Sequence, residues 1–217
     1  MPKQLEIFYD MDEVLYDLSS YIIINKYNKE FNDNMKPNDN KSYWWSDCKN
    51  ATKEYFKKLL LERGIFYNGN PVDNSIEVAT KLYKEGFKTK IITLPQYNSN
   101  YCASEKVKWI GEYLPFVNVE KDLIFTGDKS LLARDNRVLL DDNINNLIEW
   151  KRKGGISVAF SQPWNDEWKG LRVNNHKEFY HLIHQIQNNL ENINVDKGID
   201  LHNLKFYYEN KLHKGDD

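Results

Sequence analysis

The spacing of hydrophobic residues changes along this chain and predicts which segments are strands and which are helices. Leu5 to Tyr9 is a short apolar run that ends at Asp10, a pattern typical of a buried strand. After residue 71, apolar runs alternate with segments of helical periodicity. The predicted strands lie at 87–93, 122–125, 138–140 and 156–160, and the predicted helices at 75–85, 105–114, 144–153 and 177–190. This alternation predicts the α/β class, a doubly wound (Rossmann-like) parallel sheet with helices on both faces.

The segment from 17 to 71 interrupts the alternation. Helical spacing covers 17–31 and 53–63, and Gly64 is predicted to end the second helix. The polar loop between them contains Tyr43-Trp44-Trp45. The predicted domains are an α/β core formed by 1–16 and 72–190, a small helical cap formed by 17–71 and inserted after the first strand, and a C-terminal extension formed by 191–217.

Composition and charge narrow the class of protein. The 217 residues are 41% hydrophobic, which is typical of a folded globular chain. Lys and Arg number 30 and Asp and Glu 32, so we expect neither a membrane surface nor a stable nucleic-acid partner. No apolar run is long enough to span a membrane, and the N-terminus lacks the apolar core of a signal peptide. Cys48 and Cys102 are too few for a disulfide framework or a zinc cluster. We therefore expect a soluble cytoplasmic protein.

Polar residues follow four of the predicted strands. In chain order they are Asp10 and Asp12, then Thr93, then Lys129, then Asp141 and Asp142. Because ligands bind beyond the carboxyl ends of parallel strands, we expect these side chains to share one site. Several carboxylates at close range repel one another unless a cation separates them, and oxygen ligands suit Mg²⁺. The pattern therefore indicates a magnesium site.

The same residues suit a phosphoryl group. Lys129 can neutralise a phosphate dianion, and Thr93 can donate a hydrogen bond to it. One aspartate can attack phosphorus to form an aspartyl-phosphate. A second aspartate, two residues along, can protonate the leaving oxygen and then activate water. The sequence therefore predicts a Mg²⁺-dependent phosphatase.

These four segments, in this order, resemble the four motifs of the haloacid-dehalogenase-like (HAD) phosphatases. Further stretches resemble the 5'(3')-deoxyribonucleotidase family of that superfamily. They are 101–110, Asp128-Lys129-Ser130, 139–143 and Gln162-Pro163-Trp164-Asn165. The resemblance covers about residues 5–165 and is weakest in the predicted cap. It implies a HAD-like core with a cap.

The resemblance also implies roles for the acidic residues. Asp10 would be the nucleophile and a metal ligand. Asp12 would be the general acid and base, with its backbone carbonyl on the metal. Asp142 would be the third protein ligand of Mg²⁺, and Asp141 would support Lys129 or a metal-bound water.

Substrate contacts follow from the same resemblance. Thr93 and Lys129 would hold the phosphate. Leu94 stands where the family usually has serine, which bears on substrate preference more than on catalysis. The run Tyr43, Trp44 and Trp45 is the candidate to stack on the nucleobase, with packing inside the cap or a subunit contact as the alternative. Lys106 and Lys108 lie near the predicted site and could steer anions toward it, but a solvated helix face is the simpler expectation.

The implied reaction is hydrolysis of deoxyribonucleoside monophosphates, 5' and as a further expectation 3', to deoxynucleoside and phosphate. Its substrate would be a small nucleotide, its role deoxyribonucleotide catabolism, and its assembly a homodimer. Two alternatives remain open. One is the same chemistry on a sugar phosphate or a nucleic-acid 3' end. The other is a catalytically silent nucleotide-binding module on the same fold.

Overall fold

A six-stranded parallel sheet forms the centre of the molecule. The computed structural model describes residues 4–192. The strands are β1 (Glu6–Tyr9), β2 (Lys88–Thr93), β3 (Leu123–Phe125), β4 (Arg137–Asp141), β5 (Ile156–Phe160) and β6 (Leu171–Val173). Their order is β3-β2-β1-β4-β5-β6, and every neighbouring pair is parallel. The predicted parallel α/β architecture is therefore confirmed. The sequence pattern missed β6, because its three residues include Arg172 and give too short an apolar signal.

Seven α-helices accompany the sheet within residues 4–192. They are α1 (Leu18–Ile22), α2 (Asn28–Phe31), α3 (Lys53–Leu59), α4 (Ser75–Lys84), α5 (Cys102–Tyr113), α6 (Ile144–Arg152) and α7 (His176–Asn192). A π-helical stretch, Ile23–Tyr27, joins α1 to α2. Short 3₁₀ helices lie at Pro37–Asp39, Lys129–Leu132 and Pro163–Asn165. No helix of this part of the chain is long and apolar enough to cross a membrane.

The prediction that Gly64 ends the second helix of the insert was wrong. Helix α3 already ends at Leu59. Beyond it, the N–H groups of Leu61 and Glu62 bond to carbonyls three residues back, so the chain tightens into turns.

Both faces of the sheet are covered by helices. On one face Ile7 and Tyr9 of β1 belong to the large core that includes buried residues of α4, α5 and α7. On the other face Phe8 and Leu139 pack with Trp150 of α6. Side chains alternate between faces along a strand, so the apolar run of β1 is buried on both sides. This doubly covered strand places Asp10 at the middle of the sheet edge.

The insert after β1 is tied to the core by buried polar contacts. The hydroxyl of Tyr16 donates to the carbonyl of Ile65 and accepts from the N–H of Gly69 at 2.9 Å. The carboxylate of Glu105 on α5 accepts from the N–H groups of Gly64 and Phe66. The division into core and cap stays a prediction, and the predicted extension beyond residue 192 lies outside the described residues.

Candidate active site

The predicted site residues meet at the carboxyl edge of the three central strands. Strand β1 lies between β2 and β4, and Tyr9 is in register with Ile91 and Leu140. The N–H of Asp10 donates to the carbonyl of Leu140 at 2.9 Å. The ends of β1, β2 and β4 therefore bring together the six residues named from the sequence, with Lys129 arriving from the turn after β3.

Lys129 joins two of the aspartates. Its Nζ atom lies 2.6 Å from Oδ1 of Asp10 and 2.7 Å from Oδ2 of Asp141. The Asp128 side chain caps the 3₁₀ helix that begins at Lys129, which fixes where the lysine enters the site. Burial disfavours the ammonium form, but Asp10 and Asp141 outweigh burial and raise the pKa of Lys129. Lys129 is therefore a permanent positive charge beside Asp10.

Asp141 and Asp142 have different surroundings although they are adjacent. Asp141 accepts hydrogen bonds from Lys129, from the N–H of Asn143 and from Nδ2 of Asn146. Asp142 is equally buried, and its Oδ2 accepts a neutral N–H from Trp164 at 2.9 Å. Burial, and then the charges of Asp141 and Asp10, raise the pKa of Asp142 well above its ordinary value. Asp142 is thus an acidic group without a cationic partner among the described residues.

Three buried carboxylates form a cluster that can hold a metal ion. One ligand atom each from Asp10, Asp141 and Asp142 lie within 4.8 Å of one another. Carboxylate oxygens are the donors that hard divalent cations prefer. A divalent cation would also relieve the repulsion that Asp142 experiences. The residues present therefore fit such an ion.

Lys106 is a further residue of the site, and the expectation of a solvated position was wrong. Its side chain has no exposed surface. Its Nζ lies 2.6 Å from Oδ2 of Asp12 and 2.7 Å from the hydroxyl of Thr93. The signal was present in α5, where Cys102, Lys106 and Trp109 fall at helical spacing on the buried face. Lysine on such a face points to a charged partner.

Asp12 keeps one oxygen available. Burial raises its pKa, and the ammonium of Lys106 acts in the opposite direction. Oδ2 is held by Lys106, whereas Oδ1 is buried and has no hydrogen-bond partner among the described residues. A buried oxygen without a partner is costly, so Oδ1 is suited to a proton or a ligand.

A cavity of about 170 Å³ lies over these groups and is roofed by the insert. Its floor includes Asp10, Asp12, Thr93, Lys129 and Asp142. The apolar part of its wall is formed by Leu18, Tyr43, Trp44, Trp45, Leu60, Phe66, Leu94 and Trp164. The cavity therefore combines a charged floor with an aromatic roof.

The three adjacent roof aromatics differ in their contacts. Trp45 is buried, donates from Nε1 to the hydroxyl of Ser19 at 3.0 Å, and packs on Phe56 with ring centroids 5.2 Å apart. Tyr43 is 47% exposed, and its ring meets Trp164 of the core edge-on. Trp44 is half-buried. Trp45 is thus largely occupied by packing, while Tyr43 and Trp44 keep surface for a ligand.

Glu13 is a further wall residue that the motif reading did not assign. It has a left-handed backbone with φ of 62°, unusual for a residue with a side chain. Its Oε1 accepts from the N–H of Ser19 at 2.8 Å and from the Ser19 hydroxyl at 2.6 Å. Ser19 in turn accepts from Trp45, so a hydrogen-bonded chain links the turn after β1 to the roof. Nothing in the spacing of the sequence indicates this link.

Solved structures similar to this chain are HAD hydrolases. A HAD family hydrolase from Deinococcus radiodurans R1, with bound phosphate and sodium, superposes with a TM-score of 0.59 at 9% identity, covering 88% of this chain and 99% of that one. A HAD-superfamily hydrolase from Ehrlichia chaffeensis gives 0.54 at 14% identity, with 86% and 98% covered. The L-2-haloacid dehalogenase from Xanthobacter autotrophicus gives 0.51 at 11% identity, with 85% and 99% covered. At these identities the likeness concerns the fold.

The sequence itself supplies the closer assignment. No curated protein matches it. Residues 3–189 match the family described as 5' nucleotidase, deoxy (pyrimidine), cytosolic type C protein. The match spans every strand of the sheet and every site residue described above. The chain therefore belongs to this nucleotidase family, whose members are phosphoric monoester hydrolases, and it shares the fold of the HAD hydrolases.

Proposed function

We propose that this chain is a Mg²⁺-dependent nucleotidase that hydrolyses deoxyribonucleoside monophosphates, 5' esters first and 3' esters as second substrates. The observation that carries the proposal is the cavity, in which Asp10 and Lys129 lie beneath an aromatic roof. A phosphate on the floor and a base against the roof would fill the two chemically different ends of one space. Membership of the nucleotidase family supports the same substrate class.

The charges of the floor support a divalent cation in the working enzyme. The ionisable groups that meet there are Asp10, Asp12, Asp141, Asp142, Lys106 and Lys129. When all are ionised their net charge is about −2, which would repel a phosphate dianion. The carboxylates of Asp10 and Asp142, with the backbone carbonyl of Asp12, are the groups proposed to hold Mg²⁺. When bound, the ion would offset this charge and polarise a phosphoryl oxygen.

Asp10 is the proposed nucleophile. Lys129 holds Oδ1 of Asp10 and limits rotation of the carboxylate. A carboxylate oxygen of Asp10 would attack phosphorus while the ester oxygen leaves on the opposite side, which gives an aspartyl-phosphate. Lys129 lines the floor, where its ammonium can bind an equatorial phosphate oxygen, and the buried ammonium of Lys106 supports Asp12 and Thr93 from behind.

Asp12 is the proposed general acid and base. Its Oδ1 has no hydrogen-bond partner among residues 4–192 and would carry the proton to the leaving sugar oxygen. The same carboxylate, now ionised, would take a proton from the water that hydrolyses the aspartyl-phosphate. Lys106 holds the other oxygen and so fixes the direction of Oδ1.

The test is phosphate release from 5'- and 3'-deoxyribonucleotides, ribonucleotides and sugar phosphates, with Mg²⁺ and with EDTA. Asp10→Asn is the inactive variant. Asp122→Asn is its matched control, because Asp122 pairs with Lys90 at the start of β3. Release that needs Mg²⁺, is strongest on deoxyribonucleotides and is lost only in Asp10→Asn supports the proposal. Release confined to sugar phosphates would change the substrate class. Nucleotide binding without release would favour a silent binding module.

A further inference from the structure

Asp142 is held from a single direction, by the loop that follows β5. The only side-chain donor to its carboxylate among residues 4–192 is Nε1 of Trp164, at 2.9 Å. The backbone carbonyl of Asp142 accepts from Nδ2 of Asn165 at 2.8 Å. Trp164 and Asn165, adjacent in one loop, thus hydrogen-bond to the side chain and to the main chain of Asp142.

This loop is itself firmly anchored. Nδ2 of Asn165 also donates to the carbonyl of Phe160, the last residue of β5, at 2.8 Å. Oδ1 of Asn165 accepts from Arg172 of β6 at 2.8 Å and from the N–H of Gln162 at 3.1 Å. Asn165 has no exposed surface. The platform that carries Trp164 is therefore fixed to two neighbouring strands.

The chemistry of the Trp164 contact differs from that at Asp141. Asp141 is neutralised by the ammonium of Lys129, whereas Asp142 receives an indole N–H, which carries no charge. A neutral donor fixes the rotation of a carboxylate and leaves its negative charge available to a cation. Asp141 is therefore paired with a positive charge, whereas the charge of Asp142 stays available to a metal ion.

Trp164 also touches the insert. Its ring lies 6.0 Å from the ring of Tyr43, at an interplanar angle of 84°. It lines the catalytic cavity and a second cavity of about 230 Å³, so it forms part of the wall between them. Tyr43 of the roof therefore packs against Trp164, the residue that hydrogen-bonds to Asp142.

We infer that Trp164 is a positioning residue, which orients the carboxylate of Asp142 toward the metal ion. Its ring contact with Tyr43 helps to hold the indole in that orientation. The inference rests on the proposed function for its metal. Its consequence is that loss of the indole N–H lowers affinity for Mg²⁺, so that the loss of rate in the variant depends on the Mg²⁺ concentration.

The test compares Trp164→Phe with Trp168→Phe. Phenylalanine keeps a ring against Tyr43 and removes the donor. Trp168 is a matched control, since its Nε1 donates to the carbonyl of Leu171 and not to the site. Mg²⁺ binding to the metal-free protein is measured by calorimetry, without substrate. We expect Trp164→Phe to bind Mg²⁺ about tenfold more weakly, the size found when partners of metal ligands are removed. Trp168→Phe binds as the parent does.

Kinetics separate positioning from general damage. In Trp164→Phe the Mg²⁺ concentration for half-maximal rate rises about tenfold, and raising the Mg²⁺ concentration restores most of the lost rate, whereas general damage would not respond to Mg²⁺. Equal Mg²⁺ affinity in parent and Trp164→Phe overturns the inference. If the parent releases no phosphate from any ester but Trp164→Phe still weakens Mg²⁺ binding, the proposed function fails and the positioning role stands.

A second readout needs no change at Trp164. In protein labelled with ¹⁵N at the indoles, Trp44 and Trp164 both lie near the Tyr43 ring, and the Trp44 signal is the one that is lost in Trp44→Phe. Saturation with Mg²⁺ shifts this signal, because the N–H donates to a carboxylate that then binds the ion. A Trp164 signal that stays in place overturns the inference even where Trp164→Phe does not fold.

Discussion

Nζ of Lys106 lies 2.6 Å from Oδ2 of Asp12, although 94 positions separate the two residues in the chain. This pair, in which the lysine is fully buried, gives the proposed acid and base a fixed direction and adds a second positive charge beside Thr93. Lys106 is therefore expected to matter for catalysis as much as the motif lysine.

Replacing Lys106 by methionine tests this expectation. Methionine fills similar space but loses the charge, so Asp12 loses its only cationic partner within hydrogen-bond distance among residues 4–192. We expect kcat/KM to fall about 100-fold, the size typical of removing one preorganised donor. The matched control is Lys108→Met, on the exposed side of the same helix. Similar kcat/KM in the two variants, with both folded by circular dichroism, would contradict a role for Lys106.

Replacing Asp142 by asparagine separates stability from metal binding. In the metal-free protein the change removes one of three carboxylates whose ligand atoms lie within 4.8 Å of one another. The change removes repulsion between buried charges. We therefore expect the free energy of unfolding of the metal-free variant to exceed that of the parent by about 1–2 kcal/mol at neutral pH, with a correspondingly higher Tm. Mg²⁺ should raise the Tm of the parent and have little effect on the variant. A variant that is less stable without metal, or is stabilised by Mg²⁺ as strongly as Asp122→Asn, would argue against this metal site.

His176 should make stability depend on pH. The ring has no exposed surface, Nε2 donates to the carbonyl of Val14 at 2.8 Å, and Nδ1 is buried without a partner among the described residues. Burial lowers its pKa to about 4, and the Val14 bond acts in the opposite direction. The folded protein therefore resists a proton that the unfolded chain accepts near pH 6.5. The stability is present above pH 6.5 and is lost as pH falls toward 4, by about 3 kcal/mol in total.

Urea unfolding at pH 7, 6 and 5 measures this contribution. Carboxylates also titrate in part of this range, so the comparison is made between variants. His176→Gln keeps an N–H for Val14 and cannot titrate, so its free energy of unfolding should fall less with decreasing pH than that of the parent. His181→Gln is the control, because His181 is exposed on the same helix. Identical slopes in all three proteins would refute the assignment.

Trp44 and Trp45 of the roof should have different roles, Trp44 in contact with the ligand and Trp45 in packing of the core. Trp44→Ala removes surface that faces the cavity, and we expect KM for deoxyribonucleotides to rise about tenfold, since stacking contributes about 1–3 kcal/mol per base. KM for a sugar phosphate, which has no base, should change little.

Trp45→Ala should behave differently. It removes a buried ring and its bond to Ser19, so the free energy of unfolding should fall by about 3–5 kcal/mol. Chemical denaturation and substrate kinetics of the two variants measure the two effects. A Trp44→Ala variant that raises KM equally for both substrates would point to distortion of the floor.

The fold and the floor of the site could be predicted because they depend on local patterns. A buried strand is a short apolar run, and the polar residue after it must lie at the carboxyl edge; this rule alone located Asp10, Thr93 and Asp141. Lys106 was predicted on a solvated face because of its charge, although its helical spacing placed it among buried residues.

Other features depend on contacts between distant segments, which sequence spacing does not encode. The hydrogen bond from Trp164 to Asp142 joins the segments that follow β5 and β4. The hydrogen bond from Trp45 to Ser19 joins two parts of the insert. The early end of α3 likewise follows from turns made after Leu59, not from the glycine that the sequence offers.

The hydrogen-bonded chain from Glu13 through Ser19 to Trp45 has a consequence for motion. Glu13 directly follows Asp12, and Trp45 belongs to the roof, so the roof cannot lift far at this point without breaking bonds beside the proposed acid. Entry and exit of substrate are therefore expected at another part of the cavity rim, and Leu94, which is half exposed, is a candidate for it. A roof held at Trp45 would leave Asp12 in place while another part of the rim opens, so that successive turnovers begin with the acid already aligned.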